Sequence, residues 1–131
     1  MTYFDMWIGD LDDPDFKWHD GNYDGNLPKR KSPMFPPARD DYFFRDFFRW
    51  VELRRNDYKQ TDWDGWVAKV TKEDILNFID HRYKTDPRYT DPQQVLYRNG
   101  KAVFVEQLND LIEYVSSLDD EKLYALVAAE F

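Results

Sequence analysis

The sequence lacks several residues and patterns on which common protein chemistries depend. It contains no cysteine, which excludes a disulfide framework, a thiolate zinc site and a cysteine nucleophile. No stretch approaches the ~18 apolar residues that a membrane-spanning helix needs. The N-terminus, MTYFDMWIGD, does not show a basic start followed by a long apolar run. From these absences and the length we expect a soluble, cytoplasmic protein that folds as a single domain over residues 1–131.

Motifs of common catalytic and nucleotide-binding sites are missing as well. The sequence has no GxSxG elbow, no GxxxxGK[ST] phosphate loop and no GxGxxG fingerprint. It contains only two histidines, His19 and His81. A small enzyme that uses one of them with carboxylates, and a metal site built on both, are the alternatives that these histidines leave open. We expect a protein that is not an enzyme and that needs no cofactor.

Aromatic residues and negative charge are abundant. Aromatic residues make up 18% of the chain, and the formal net charge is −8. Residues 1–27 carry a net charge of −6, residues 28–61 carry +4, and residues 62–131 carry −6. A negative protein is poorly suited to direct nucleic-acid binding, which needs a basic surface. Acidic ends with many aromatic residues favour docking on a basic protein surface.

The first half of the chain predicts one strand, one irregular segment, one helix and one hairpin. Residues 2–8 alternate in polarity with a period of two, which is typical of a strand. Residues 10–38 are rich in Pro, Gly and Asp and show no sustained period. Asp40 or Asp41 can cap a helix that runs to about residue 55. The Asp64-Gly65 pair lies between β-prone runs and predicts a hairpin over 58–70.

The second half predicts helices. Thr71 and Asp74 fit a capping box at the start of a helix. Asp91 followed by proline favours a second, short helix ending at Asn99-Gly100, although a hairpin joining 95–98 to 101–105 fits the same residues. Helical spacing continues from about 102 to 117, and Asp119 can open a final helix. The predicted fold is therefore α+β and helix-dominated, with a small antiparallel sheet formed by strand 2–8 and the 58–70 hairpin, and with an all-helical C-terminal half.

The stretch HDGNYDGN, residues 19–26, resembles the first half of a calcium loop. With Asp20 as the first ligand position, Asn22, Asp24 and Gly25 fit the EF-hand spacing. The twelfth position, where calcium takes a bidentate glutamate, is Lys31. A pair of glycine-containing turns explains the stretch better. Calcium or other ligand binding by this turn stays an alternative function.

The favoured function is that of a small acidic, non-catalytic protein-interaction module. It would act as an inhibitor or immunity-type binder that covers a basic surface of a partner, such as a nucleic-acid-binding protein or a nuclease. Toxin-immunity proteins and phage-encoded anti-defence inhibitors are similar in size and composition, but no motif links this chain to a family. We expect neither nucleic acid nor a membrane as a direct partner. The candidate partner-binding residues combine acids with anchoring aromatics: Trp7, Asp12, Asp13, Asp15, Trp18, Asp20 and Asp24.

Overall fold

The computed structural model describes residues 4–16, 27–38, 58–62 and 65–130. A four-stranded antiparallel sheet has the strand order β1-β6-β3-β2. Its strands are β1 (Phe4–Gly9), β2 (Tyr58–Asp62), β3 (Gly65–Thr71) and β6 (Leu123–Glu130). The helices are α1 (Lys72–Tyr83), α2 (Pro87–Thr90) and α3 (Val103–Ser116), and a separate ribbon pairs β4 (Tyr97–Arg98) with β5 (Lys101–Ala102). The predicted helix from residue 40 or 41 to 55 lies outside the described residues.

The main hydrophobic core lies between one face of the sheet and the helices α1 and α3. Alternate residues of β1, β3 and β6 point to this side, as the period of two predicts. Phe35 and the helix residues Phe78 and Leu111 complete the cluster. The opposite face is covered by the chain after β1, where Phe16 and Leu27 pack on Val67 and Val127. The sheet is therefore covered on both faces, and its central strands β3 and β6 are mostly apolar.

Helix α1 begins where the sequence predicts it. The Thr71 hydroxyl accepts a hydrogen bond from the Asp74 amide at 3.1 Å, and the Asp74 carboxylate accepts one from the Thr71 amide at 3.0 Å. Two amides that the helix itself leaves without partners are thus satisfied reciprocally. The capping box is confirmed.

The predicted helix-dominated fold with an all-helical C-terminal half is wrong. Residues 123–130 form β6, the strand between β1 and β3, and not the end of a helix that starts at Asp119. The run LYALVAA is almost continuously apolar, so its spacing fits a buried helix face and a two-sided buried strand equally well. The strand forms because β6 can make backbone hydrogen bonds with β1 on one side and with β3 on the other. Strand β1 consequently pairs with β6 and not with the 58–70 hairpin, although that hairpin itself is confirmed.

The β4–β5 ribbon is found in place of the predicted short helix that follows Asp91 and ends at Asn99-Gly100. Asn99 and Gly100 both have positive φ, 54° and 77°, which is the geometry of a type I′ hairpin turn. A short helix does begin at an Asp-Pro pair, but at the earlier one: Asp86 caps α2 and Pro87 is its first residue. Helix α3 then follows the ribbon directly, and the predicted helix over 102–117 is confirmed.

The segment from Leu27 to Phe35 protects the outer edge of β1. The amides of Lys31 and Ser32 donate to the Ile8 carbonyl at 2.9 and 3.2 Å, and the Phe35 amide donates to the Met6 carbonyl at 2.9 Å. These bonds use groups that an exposed edge strand would offer to another chain.

Within the described part of the chain, no helix has the length and hydropathy needed to cross a bilayer.

Candidate interaction surface

Helix α3 carries an exposed row of carboxylates, here called the acidic helix face: Glu106, Asp110 and Glu113. The residues lie at i, i+4 and i+7, so a rotation of 100° per residue places them within one narrow stripe. All three are exposed, whereas Leu111 and Val115 on the opposite side are fully buried in the core. Core packing therefore holds the acidic row in a fixed orientation towards solvent.

The acidic row continues into the turn after the helix. Asp119, Asp120 and Glu121 are exposed and form what we call the acidic turn. From Val103 to Glu121 the chain contains six carboxylates and no Lys or Arg. The ion pair described for these residues joins Asp120 to Lys72 at 3.3 Å, and the Lys72 ammonium also donates to the Ser116 carbonyl at 2.9 Å.

Glu106 lies in the first turn of α3, where the helix dipole favours an acid, but the placement of the other two acids of the acidic helix face opposes the stability of the helix. Glu106 and Asp110 are like charges at i and i+4, a spacing that destabilises a helix by about 0.2–0.5 kcal/mol. Glu113 lies in the last turn, where the helix dipole favours cations, and that turn contains no basic residue. Asp110 and Glu113 therefore add charge to the surface at a small cost in helix stability.

Sheet register brings acids from the two ends of the sequence to one end of the sheet. Gly9 at the end of β1 is opposite Ala125, and Thr71 at the end of β3 is opposite Leu123. The loop that starts at Asp10 therefore lies beside the acidic turn. Burial raises the pKa of the Tyr114 phenol, and the nearby charge of Asp10 raises this pKa further. Asp10 thus adds a carboxylate to the end of the sheet that carries the acidic turn.

Two of the predicted partner-binding acids already have partners within the protein. The Asp13 carboxylate is buried and accepts hydrogen bonds from the amides of Lys29 at 2.8 Å and Asp15 at 2.9 Å. These amides hold the pKa of Asp13 below its usual value. Asp15 forms an exposed ion pair with Lys29 at 2.8 Å, and Asp12 is exposed. Asp13 therefore joins two loop segments, while Asp12 and Asp15 remain on the surface.

We expect Asp13→Asn to lower the melting temperature and Asp12→Asn to leave it nearly unchanged. The first change removes the charge that two backbone amides solvate, while the second alters an exposed carboxylate. Because the pKa of Asp13 is lowered by folding, its stabilisation is present above its unfolded pKa and is lost as the pH falls through the folded pKa. Thermal unfolding of both variants at neutral pH checks this. Equal melting temperatures for the two variants would contradict the joining role.

The remaining predicted residues divide between a partly buried tryptophan and positions outside the described residues. Trp7 is half-buried, its indole N–H donates to the Pro28 carbonyl at 2.9 Å, and its ring packs on the second core cluster. Trp18, Asp20 and Asp24 lie outside the described residues, and so does the 19–26 stretch that resembles a calcium loop.

Among the described residues, no group of three or more potential metal ligands comes together. His81 is exposed on α1, and His19 lies outside the described residues.

The β4–β5 ribbon and the residue before it expose large apolar side chains next to cationic ones at the start of α3. Tyr97 and Leu96 are 60% and 43% exposed, which is unusual for such large apolar side chains. Arg98 and Lys101 flank the turn and are exposed as well. Tyrosine and arginine are the residue types that most often anchor protein interfaces.

The sequence predicted the acidic segments but not the two features that dominate the candidate surface, the acidic helix face and the exposed Tyr97. The signal was present in α3, since three acids at i, i+4 and i+7 alternate with apolar residues and are separated by no cation. The exposure of Tyr97 does not follow from the sequence, because Asn99-Gly100 fits both the end of a helix and a hairpin turn. The sequence matches no protein-family model, and no curated protein or solved structure is similar to it.

Proposed function

We propose that this protein is a small, non-catalytic interaction module that covers a basic surface of a partner protein. The observation that carries the proposal is the run from Val103 to Glu121, with six carboxylates and no Lys or Arg. Its helical part is exposed along one stripe and anchored from behind by Leu111 and Val115. A fixed row of exposed carboxylates, of which Asp120 is paired with Lys72, complements Lys and Arg side chains on a partner.

The mechanism is occlusion by charge and shape. The acidic helix face and the acidic turn would attract the basic surface and raise the association rate. The carboxylates would then pair with the partner's cations, while Tyr97 of the ribbon supplies an apolar anchor beside α3. A partner whose basic surface serves to bind nucleic acid would lose that surface, as expected for an inhibitor or immunity-type protein.

Pull-down from lysate at low and high salt tests the proposal. The immobilised protein should retain a partner with a basic surface at low ionic strength and release much of it at high ionic strength, since salt screens exposed charges. Mass spectrometry identifies the retained protein, and the purified partner is then titrated directly. Retention of no partner at either ionic strength would overturn the proposal.

Asp110→Lys should weaken partner binding and stabilise the free protein. The new lysine would lie four residues after Glu106, which is the favourable order for a helical ion pair, and three residues before Glu113. Two repulsive pairs would become attractive, and we expect a gain of about 0.5–1 kcal/mol in the free energy of unfolding. A damaged fold would lower both affinity and stability. A lower affinity with a higher stability therefore shows that the substitution damages the binding surface alone. Calorimetric titration and urea unfolding measure the two effects.

The matched control is Asp80→Lys. Asp80 is also an exposed aspartate on a helix, and the substitution changes the net charge by the same amount outside the acidic helix face. We expect it to leave partner affinity nearly unchanged. If both variants weaken binding equally, the total charge of the protein and not the α3 surface drives association, and the proposed site is wrong.

A further inference from the structure

The tip of the β4–β5 ribbon places an asparagine directly before a glycine that lies in open space. Asn99 and Gly100 are both exposed, and a Cβ atom placed on Gly100 would meet no heavy atom within 4 Å. In a two-residue hairpin the ladder hydrogen bonds join the flanking residues, here Arg98 and Lys101. The amide nitrogen of Gly100 is therefore not required by the ladder.

We infer that Asn99 is a site of spontaneous deamidation, with water as the other reactant. The deprotonated Gly100 nitrogen attacks the Asn99 side-chain carbonyl carbon, so that a nitrogen–carbon bond forms and the bond to the side-chain nitrogen breaks. Ammonia leaves with the proton taken from the backbone nitrogen, and a cyclic imide remains. Water then opens the ring at either carbonyl and gives aspartate or isoaspartate.

The surroundings of the ribbon favour this reaction in two ways. Each strand of the ribbon has only two residues, and one further backbone hydrogen bond, from Val103 to Leu96, continues the pairing, so the ribbon has few bonds to break. It can therefore open far enough for the Gly100 nitrogen to reach the side chain. Arg98 and Lys101 are exposed cations beside the reacting atoms, and they stabilise the negative charge that develops on nitrogen and oxygen.

The product changes the surface around Tyr97. A carboxylate replaces a neutral amide between Arg98 and Lys101, which reduces the positive charge of the ribbon by one unit. Isoaspartate also lengthens the backbone by one methylene and shifts the pairing of Arg98 with Lys101. The reaction is a one-way change of the cationic ribbon. It does not depend on the proposed function, because its chemistry needs no partner.

Incubation of the purified protein in mildly alkaline buffer, followed by peptide mapping, tests the inference. Asn77 and Asn109 are internal controls, because both are exposed but lie in helices that pack on the core. Their backbones reach the reactive geometry only after a helix opens, so Asn99 should react at least about tenfold faster. The reaction at Asn99 should also slow in mildly acidic buffer, where less backbone nitrogen is deprotonated, and both isoaspartate and aspartate should form.

Two variants complete the test. Asn99→Gln should remove the fast phase of deamidation, which is the ammonia loss assigned to Asn99. The longer glutamine side chain must close a six-membered imide, which forms more slowly. Asn77→Gln should leave the fast phase intact. If Asn99 gains mass no faster than Asn77 and Asn109, or if the fast phase survives in Asn99→Gln, the inference is wrong. A pull-down result of either kind leaves this outcome unaffected, so the two proposals fail separately.

Discussion

Leu126→Ala should lower the free energy of unfolding by about 3 kcal/mol, a large part of the stability of a small domain. Leu126 is fully buried in β6, the strand between β1 and β3, with Ile8 and Ala68 as its cross-strand neighbours. Truncation removes a large apolar side chain from the cluster that joins the sheet to α1 and α3 and leaves a cavity. Urea unfolding at neutral pH gives the difference from the midpoints.

The control in the same strand is Leu123→Ala. Leu123 is 43% exposed at the start of β6, and its truncation should change the free energy of unfolding by no more than about 0.5 kcal/mol. In a helix starting at Asp119, the residues Leu123, Leu126 and Val127 would share one buried stripe, and both truncations would be costly. Equal effects of the two substitutions would therefore contradict the strand.

The elements that the sequence predicted correctly depend on local signals. The Thr71-Asp74 signal and the Asp64-Gly65 sequence pair lie within a few residues of the helix start and of the β2–β3 pairing that they predict. Strand β6 depends on partners more than fifty residues away, at Gly65–Thr71 and Phe4–Gly9. A run such as LYALVAA has no polarity pattern that distinguishes a two-sided buried strand from a buried helix, so its identity follows only from the assembled sheet.

The candidate surface was predictable to a similar extent. Charge counting located the acidic segments, and the spacing of Glu106, Asp110 and Glu113 was sufficient to predict one acidic stripe on α3. The burial of Asp13 was not predictable, because its partners include the Lys29 amide, sixteen residues away. The proximity of Asp10 to Tyr114 likewise arises from the register of β1 with β6 and from no local pattern.

Asp86→Asn should also destabilise the protein, by about 3 kcal/mol at neutral pH. Asp86 is buried and accepts hydrogen bonds from the guanidinium groups of Arg82 at 3.1 Å and Arg88 at 2.7 Å. Arg82 is buried too, so loss of the carboxylate removes a negatively charged hydrogen-bond partner from a cation in the interior. The asparagine oxygen can still accept from the Arg88 amide, so the α2 cap is largely preserved and the measured effect reports the charge.

The chain contains a matched control, because the tripeptide Thr-Asp-Pro occurs twice. Asp91, in the second copy, accepts from the Gln93 amide at 2.9 Å and from the Gln94 side chain at 3.2 Å, and both bonds are exposed. Asp91→Asn should therefore change the free energy of unfolding by no more than about 0.5 kcal/mol. Comparable losses in the two variants would show that the contacts of Asp86 with Arg82 and Arg88 are not what stabilises this part of the fold.

The pH dependence of the Asp86→Asn effect gives an independent check. Burial by itself raises the pKa of Asp86, but the hydrogen bonds and charge of Arg88, together with Arg82, outweigh burial and hold the pKa below its usual value. A carboxyl group with a lowered folded pKa stabilises the protein above its unfolded pKa, near 4, and this stabilisation is lost as the pH falls through the folded pKa. The stability difference between wild type and Asp86→Asn should therefore be constant at neutral pH and should shrink on acidification below about pH 4. A difference that persists unchanged to low pH would mean that the substitution acts through packing and not through the carboxylate charge.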